Sequence, residues 1–325
     1  MTVVDVHIHV ILPQVTREFE AWGPQVTWEE GRQFVDFGGK KISSALREFV
    51  DVPKILEEQD KAGVDIVVLS PWSSLFRYDT DAEEGLRVSR LQNDALAELV
   101  VRHGRRVAAV GMVPLQDAQI AARELERVVG ELGLLGVEIG SNVNGTYLGA
   151  AELRPFWAAA EETGAFVEIH PVSGVGGPVK KEYYLWNAYA NPAETALTAS
   201  HMILSGLLEA HPHLKICLFH GGGHLPYQIG RLDRAYEMRP EAGRHISAPP
   251  SSYLRRFYFD TVTHSAGALR YLIDTVGVDQ VLTGSDYPFD MGYERPAEIV
   301  AQVPDLSDVQ REAILSGNAC RLLGL

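Results

Sequence analysis

The chain has 325 residues, of which 46% are hydrophobic and 22% charged, and its formal net charge is −14. This composition is typical of a globular enzyme, and the negative charge argues against nucleic acid or an anionic membrane as a partner. No run of about 18 apolar residues predicts a membrane span, and the N-terminus lacks the pattern of a signal peptide. The two cysteines, Cys217 and Cys320, have no metal-ligand spacing and suit a reducing cytoplasm.

Short apolar segments alternate with amphipathic segments along the chain. The apolar segments predict strands and the amphipathic ones predict helices. Eight strands are expected, at 2–6, 64–70, 107–113, 136–139, 165–170, 214–220, 257–261 and 280–285. Helices are expected at 52–62, 81–102, 118–132, 151–163, 193–210, 225–238, 266–275, 296–303 and 309–323. Eight such units predict a (β/α)8 TIM barrel, one domain spanning residues 1–325. A doubly wound open sheet is the alternative, although no Gly-x-Gly-x-x-Gly motif follows the first strand.

Two longer segments interrupt this alternation. Residues 10–50 contain turn signals at Gly23-Pro24 and Gly38-Gly39 and short polar-apolar alternations. This pattern predicts a small β insertion after the first strand, a hairpin cap over the barrel mouth. The second segment, 171–191, is a loop rich in glycine and aromatic residues.

Metal-ligating residue types recur at the predicted strand ends. His7 and His9 end the first strand, His170 the fifth and His220 the sixth, and Asp286 follows the eighth. In a barrel, the carboxyl ends of all strands meet at one mouth. Four imidazoles and one carboxylate there predict a site for Zn2+, or less tightly for Mn2+ or Fe2+. Separate polar residues would not explain why all five lie at strand ends.

Four motifs combine at these positions: Asp5-Val6-His7-Ile8-His9, Ile169-His170-Pro171, His220-Gly221-Gly222-Gly223 and the segment Gly284 to Phe289. This combination resembles the amidohydrolase superfamily, and within it the branch of α-amino-β-carboxymuconate-ε-semialdehyde decarboxylase. The similarity runs nearly end to end and includes Pro192-Ala193-Glu194-Thr195. It implies non-oxidative decarboxylation of a small unsaturated or aromatic carboxylic acid.

The resemblance also implies roles for these residues. One divalent ion, Zn2+ with Mn2+ as the alternative, would be held by His7, His9, His170 and Asp286. His220 would act as general acid or base, and Asp286 would also steer a water molecule. Glu138, on the fourth strand, is expected behind the ligands, although it would be the bridge if a second metal were bound. A hydrolase of amides or lactones, a hydratase, and a non-enzymatic metal-binding protein remain alternatives.

Substrate contacts are implied less specifically. Arg47 and Arg231 match two arginines that bind substrate carboxylates in the family, and the second of these reaches the neighbouring subunit. We therefore expect a small anionic substrate and a homodimer. Phe289 and His224 are expected to line the pocket. The chain departs from the family pattern at Trp186-Asn187, at Val172 and at His224, and these departures leave the exact substrate open.

Cys217 is expected to be a buried thiol without a catalytic role. Counting alternate residues back from His220 along the predicted strand directs 216 and 218 into the barrel. The same count points Cys217 towards the helices.

Overall fold

The structure is a computed structural model that describes residues 1–19, 23–37, 40–45, 47–172 and 174–325. Its main sheet is formed by strands that consist largely of β-branched and apolar residues and are almost wholly buried. In chain order they are β1 (Val4–Val10), β2 (Ile66–Pro71), β3 (Val107–Ala109), β4 (Gly136–Gly140), β5 (Phe166–His170), β6 (Lys215–Leu218), β7 (Phe257–Asp260) and β8 (Val281–Leu282).

These strands form a closed circle. Consecutive strands pair in parallel, and two bridges complete the ring. Gly111 N donates to Gly136 O at 2.8 Å and joins β3 to β4. His9 N donates to Tyr287 O at 2.8 Å and joins β1 to the segment after β8. The predicted (β/α)8 barrel is confirmed, and the open doubly wound sheet is excluded.

Helices connect successive strands on the outside of the ring: α1 (Val52–Ala62), α2 (Ala82–His103), α3 (Ala118–Gly130), α4 (Arg154–Thr163), α5 (Asn191–Leu204), α6 (Leu225–Met238) and α7 (Ala266–Val276). A further helix, α8 (Asn318–Leu323), follows β8. Asp81 and Asp117 cap α2 and α3 by accepting from backbone N–H groups of the first turn. The helix predicted over 193–210 is divided, because Gly206 adopts a left-handed conformation before a second short helix, Leu207–Ala210. No helix in the described ranges is long and apolar enough to cross a membrane.

The insertion after β1 is a three-stranded antiparallel sheet, Gln25–Glu29, Arg32–Phe37 and Lys40–Ala45. It is β structure as expected, with one strand more than a hairpin. The predicted turn at Gly38-Gly39 lies outside the described residues. Arg32 Nη1 lies 3.7 Å from Asp290 Oδ2, so the insertion contacts the segment after β8 at the barrel mouth.

Apolar side chains pack inside the barrel below the mouth, next to the buried carboxyl group of Glu168. Residues from strands on opposite sides of the ring meet there, together with Ala319 near the C-terminus: Val4, Val6, Val68, Ala108, Val110, Phe166, Cys217, Phe219 and Leu282. Cys217 is therefore a buried free thiol as predicted, but the predicted direction of its side chain was wrong. The strand ends at Leu218, and His220 has a φ of +56°, so the alternation of faces does not extend to His220.

Candidate metal centre and adjoining cavities

A β-bulge in β1 positions the first ligand. The pairing of β1 with β2 shifts between Asp5 and Ile8, and such a shift leaves backbone groups without a ladder partner. The Asp5 carboxylate compensates, since Oδ1 accepts from His7 N and from Ser285 N, both at 3.0 Å. Burial raises the pKa of Asp5 to about 6. The carboxylate thus fixes the backbone that carries His7.

Three ligand atoms converge above this bulge. His7 Nε2 lies 3.0 Å from His9 Nε2, and Asp286 Oδ1 lies 3.3 Å from the first nitrogen and 3.4 Å from the second. The ring of His170 approaches them, with its centroid 4.9 Å from that of His9. Candidate ligands from β1, β5 and the segment after β8 are therefore brought together, as their positions at strand ends predicted.

Acceptors on the far side of the rings fix which nitrogen faces inward. His7 Nδ1 lies 2.6 Å from Asp260 Oδ2, and His170 Nδ1 donates to Pro171 O at 2.9 Å. A proton held at Nδ1 leaves the Nε2 lone pair directed into the centre. His7 also stacks on the ring of Phe219, with centroids 3.5 Å apart.

His9 has a looser set of partners. Its Nδ1 lies 3.3 Å from Ser70 Oγ and 3.6 Å from Glu138 Oε2. Glu138 is wholly buried, and burial raises the pKa of its carboxyl. Glu138 therefore lies on the Nδ1 side of the His9 ring, away from the point where the Nε2 atoms converge.

The charges favour a cation at the convergence point. Burial alone would raise the pKa of Asp286, but His7 and the hydrogen bond from His220 bring it well below the ordinary value. Burial, followed by His9, lowers the pKa of His170 well below its ordinary value. Burial also lowers the pKa of His7, but Asp286 and Asp260 outweigh it and raise that pKa to about 10. The ionised Asp286 carboxylate would attract a divalent ion, which would displace the proton that the raised pKa of His7 retains.

The donor set fits a divalent metal ion. His7 Nε2 and His9 Nε2 face each other and the buried Asp286 Oδ1, which has no hydrogen-bond partner among the described residues. Such an arrangement requires a proton or a metal ion between the atoms. Ligands bound to one tetrahedral zinc at 2.0–2.1 Å are about 3.3 Å apart, close to the spacings of 3.0, 3.3 and 3.4 Å found here.

His220 contacts the other oxygen of the same carboxylate. Its Nε2 lies 3.3 Å from Asp286 Oδ2, whereas His7 and His9 face Oδ1. The ligand atoms of His7, His170, His220 and Asp286 nevertheless lie within 4.8 Å of one another, so distance alone would also allow His220 as a ligand. The turn that holds it has left-handed φ angles from His220 to Gly223, and a Cβ on Gly223 would lie 2.0 Å from Pro192 O.

A cavity of about 630 Å³ opens beside this centre. His170, His220 and Asp286 line it on the metal side. Aromatic and small polar residues form much of the remaining wall, including Trp72, Phe76, Tyr78, Asn142, Trp186 and Phe289. Phe289 also packs with its ring centroid 5.6 Å from that of His9. The predicted pocket position of Phe289 agrees with this geometry.

A second cavity of about 490 Å³ reaches the same centre from the side of α6. It shares Asn187, Asn191, His220 and Asp286 with the first cavity and is also lined by His224, His264, Tyr227 and Tyr271. His224 therefore lies in the second cavity, and burial lowers the pKa of its imidazole. Asn187, part of the predicted departure at Trp186-Asn187, thus places an amide between the two cavities.

The two predicted substrate arginines lie elsewhere. Arg47 Nη1 donates to Tyr293 O at 3.0 Å, and its guanidinium lies 4.5 Å from the centroid of the Tyr287 ring. Arg231 is exposed on α6. Neither is among the described residues that line the two cavities.

Some site residues were not identified from the sequence. Asp260 ends β7, so the strand-end rule that found the ligands would also have found it. Phe219 looked like an ordinary strand residue, and only the structure shows that it stacks on His7. Arg77 and Glu194, discussed below, lie on a loop and a helix, where no spacing rule indicates a function.

Comparison with known proteins agrees with this geometry. Residues 4–325 match the amidohydrolase family. The 2-amino-3-carboxymuconate-6-semialdehyde decarboxylase of Dictyostelium discoideum is 35% identical over 271 residues, 83% of this chain and 76% of that protein. The crystal structure of 5-carboxyvanillate decarboxylase from Sphingomonas paucimobilis aligns with a TM-score of 0.82 at 27% identity, covering 100% and 99% of the two chains.

A second similar structure contains a metal ion. It is dihydroxybenzoic acid decarboxylase from Polaromonas sp. JS666 with bound manganese and the inhibitor 2-nitroresorcinol. It aligns with a TM-score of 0.81 at 24% identity and covers 100% of this chain and 97% of that one. The strand-end ligands, the closed barrel and these matches together show that the chain belongs to the amidohydrolase family, in its decarboxylase branch.

Proposed function

We propose that this protein is a metal-dependent decarboxylase that removes CO2, without oxidation, from a small aromatic or unsaturated carboxylic acid. The observation that carries the proposal is the convergence of His7, His9, His170 and Asp286 beside a cavity walled by aromatic rings. The relatives named above carry out this class of reaction on their own acids, which supports the assignment.

The reaction requires a bond to break and a proton to be added. The bond between the carboxyl carbon and the adjacent carbon breaks, its electron pair stays on that adjacent carbon, and a proton takes the place of CO2. When bound, the divalent ion supplies a Lewis acid that orients the acid and stabilises negative charge. His220 lines the cavity with a polar ring, so we assign it the proton transfer to carbon. Asp286 contacts His220 through Oδ2 and orients its ring.

We propose Zn2+ as the ion, with Mn2+ as the alternative. Three imidazole nitrogens and one carboxylate suit zinc, while the manganese in the Polaromonas relative favours the alternative. Metal analysis of the purified protein separates the two. We expect one ion per chain, and two ions at full occupancy would instead support a bridging role for Glu138.

The remaining contacts are proposals of the same kind. Phe289 and His224 are proposed to contact the substrate from the two cavities that they line. Arg47 is proposed to bind a substrate carboxylate. Its guanidinium contacts Tyr293 O, and Tyr293 lies on the same segment after β8 as Phe289. A cytoplasmic setting is proposed because Cys217 and Cys320 are both free thiols.

We propose a homodimer in which Arg231 serves the partner's site. Arg231 is four residues beyond Tyr227 on α6, so both lie on one face of the helix, and Tyr227 lines the second cavity. If a partner packs on this face, the second cavity is the route by which the Arg231 side chain of one chain would approach His220 of the other. Mixing inactive Arg231→Ala and His220→Ala chains should restore activity, because one site of a mixed dimer holds both residues. Mixed dimers without activity would place Arg231 outside the partner's site.

Release of CO2 tests the proposed reaction. The metal-loaded protein is incubated with hydroxybenzoic, carboxylated hydroxybenzoic and unsaturated dicarboxylic acids, and CO2 and products are measured together. Chelation followed by metal return is the control. We expect CO2 and a protonated product in equal amounts. Turnover of amides or lactones, or addition of water without CO2, would instead establish a hydrolase or a hydratase.

A further inference from the structure

The loop between β2 and α2 holds an arginine in a strained backbone conformation. Arg77 has a φ of +53°, in the left-handed region that residues with a Cβ disfavour and glycine adopts without cost. Its carbonyl oxygen accepts from Thr80 N at 3.1 Å, Thr80 Oγ1 at 2.8 Å and Gln116 Nε2 at 3.2 Å. Three donors on one carbonyl hold the loop in this conformation.

The next residue is held equally well. Tyr78 Oη accepts from Gly140 N at 3.2 Å, and Tyr78 O accepts from Asn144 Nδ2 at 2.6 Å. These hydrogen bonds fix the loop to Gly140 at the end of β4 and to Asn144 in the turn that follows. A strained residue that its neighbours hold in place is a reason to look for a function of its side chain.

The side chain of Arg77 belongs to the 630 Å³ cavity. Arg77 lines it together with His170, His220 and Asp286, and among the described lining residues it is the one arginine or lysine. Its Nε donates to Asp79 Oδ1 at 3.1 Å, and the side chains of the two residues are 16% and 73% exposed. A bridge to so exposed a carboxylate adds little stability and can open towards a ligand at little cost.

We propose that Arg77 is a specificity-determining residue that binds a second carboxylate of the substrate. This rests on the proposed function in one respect, that the metal centre takes the carboxylate that is lost. A guanidinium has five N–H donors in a planar fork that matches a carboxylate. A cavity with a divalent ion on one wall and Arg77 on another therefore selects dicarboxylic acids over monocarboxylic acids.

Binding to simple probes tests the proposal without turnover. The probes are benzoate and its 1,2-, 1,3- and 1,4-dicarboxylates, titrated by calorimetry into the metal-loaded protein. We expect at least one dicarboxylate to bind about tenfold more tightly than benzoate, the scale of one charge-assisted hydrogen bond. Arg77→Met and Arg77→Gly should lose this preference and keep the affinity for benzoate. Arg311→Met is the matched control and should change neither, because Arg311 also bridges an exposed carboxylate, that of Asp308 at 3.2 Å, and lines neither cavity.

Stability gives a second and independent readout. Glycine relieves the left-handed strain, so Arg77→Gly should melt at or above the temperature of the unaltered protein while losing the preference. A lower melting temperature would assign Arg77 a structural role and overturn the proposal. Three binding results would also overturn the proposal. The unaltered protein could show no preference for dicarboxylates, the preference could survive in both variants, or the variants could lose affinity for benzoate as much as for dicarboxylates. A chain that binds dicarboxylates through Arg77 but releases no CO2 would reject only the decarboxylase function.

Discussion

The two sides of the barrel mouth are built in different ways. On the metal side, His7, His9 and Asp286 are buried, and short contacts to neighbouring strands fix each of them. On the cavity side, the walls come from the loops after β2, β4 and β5. Their side chains are more exposed, as Trp186 shows with 44% of its surface accessible.

This difference separates the chemistry from the selectivity. Strand ends can move little without disturbing the barrel, so the positions of the ligands are set by the fold. Loops can change length and side chains at little cost to the fold. We therefore expect substitutions on the metal side to change rate or metal content, and substitutions on the cavity side to change substrate binding.

The largest effect is expected at His220. His220→Ala should keep the metal and lose about 100-fold or more in kcat, the usual contribution of a general acid or base. The ring contacts Asp286 Oδ2, whereas His7 and His9 face Oδ1, so its removal should leave the four proposed ligands in place. Metal analysis and steady-state kinetics measure the two effects. The exposed His213→Ala variant is the control, and metal loss in His220→Ala would show instead that His220 is a ligand.

Asp260 should affect metal affinity before rate. Its Oδ2 faces His7 Nδ1, and its Oδ1 accepts from Gly221 N at 2.7 Å and Val262 N at 3.1 Å. An asparagine has only one acceptor oxygen, so Asp260→Asn would leave either the ring or the backbone facing an NH2 group. We expect metal affinity to fall about 10- to 100-fold, the usual cost of losing a partner behind a histidine ligand.

Competition with a chelator of known affinity measures that loss. Asp233→Asn is the matched control, because Asp233 also accepts from a backbone N–H, that of Ser251 at 2.8 Å, but lies on α6. Unchanged metal affinity in Asp260→Asn would mean that the His7 ring is oriented by its stacking on Phe219 instead.

The metal side could be predicted from the sequence and the cavity side only in part. Strands and helices were visible in the alternation of apolar segments, and the barrel then brings all strand ends to one mouth. The positions of His7 and His170 at the mouth could be predicted without knowledge of side-chain packing. Arg77 could not be found in this way, because its importance depends on a turn conformation that local composition does not specify.

Errors in strand counting have the same physical origin. Alternation of side chains holds only while the backbone stays extended, and β6 ends at Leu218, before the left-handed His220. The bulge between Asp5 and Ile8 is another interruption that the sequence did not reveal. Both irregularities lie next to the metal side, where backbone geometry departs from the regular strand in order to aim a ligand.

Glu194 should have a moderate effect on the cavity side. This buried carboxylate on α5 joins two wall segments: Oε1 accepts from Asn142 Nδ2 at 2.7 Å, and Oε2 accepts from Val175 N at 2.9 Å. Glu194→Gln would place an amide NH2 against one of these donors and loosen the wall. We expect KM to rise several-fold, about the value of one hydrogen bond, with kcat and metal content unchanged.

Glu161→Gln is the control for this variant, since Glu161 also accepts from a backbone N–H, that of His213 at 2.8 Å, but lies on α4. A fall in kcat at constant KM in Glu194→Gln would contradict the separation of the two sides.

The smallest effect is expected at Cys217, inside the barrel. Burial raises the pKa of this thiol well above its ordinary value, so it stays neutral and unreactive. Cys217→Ala would leave a small void in a core that also contains Phe219, whose ring stacks on His7. We expect the free energy of unfolding to fall by about 1 kcal/mol, as for the loss of one buried heavy atom, with kcat within about twofold.

Denaturant unfolding and kinetics at full metal occupancy measure the two quantities in the same sample. Cys320→Ala is the matched control, because Cys320 is only partly buried and should cost less. Lower metal affinity in Cys217→Ala would mean that packing inside the barrel is transmitted to His7 through Phe219. A collapse of kcat in a folded, metal-loaded variant would give the thiol a part in the chemistry.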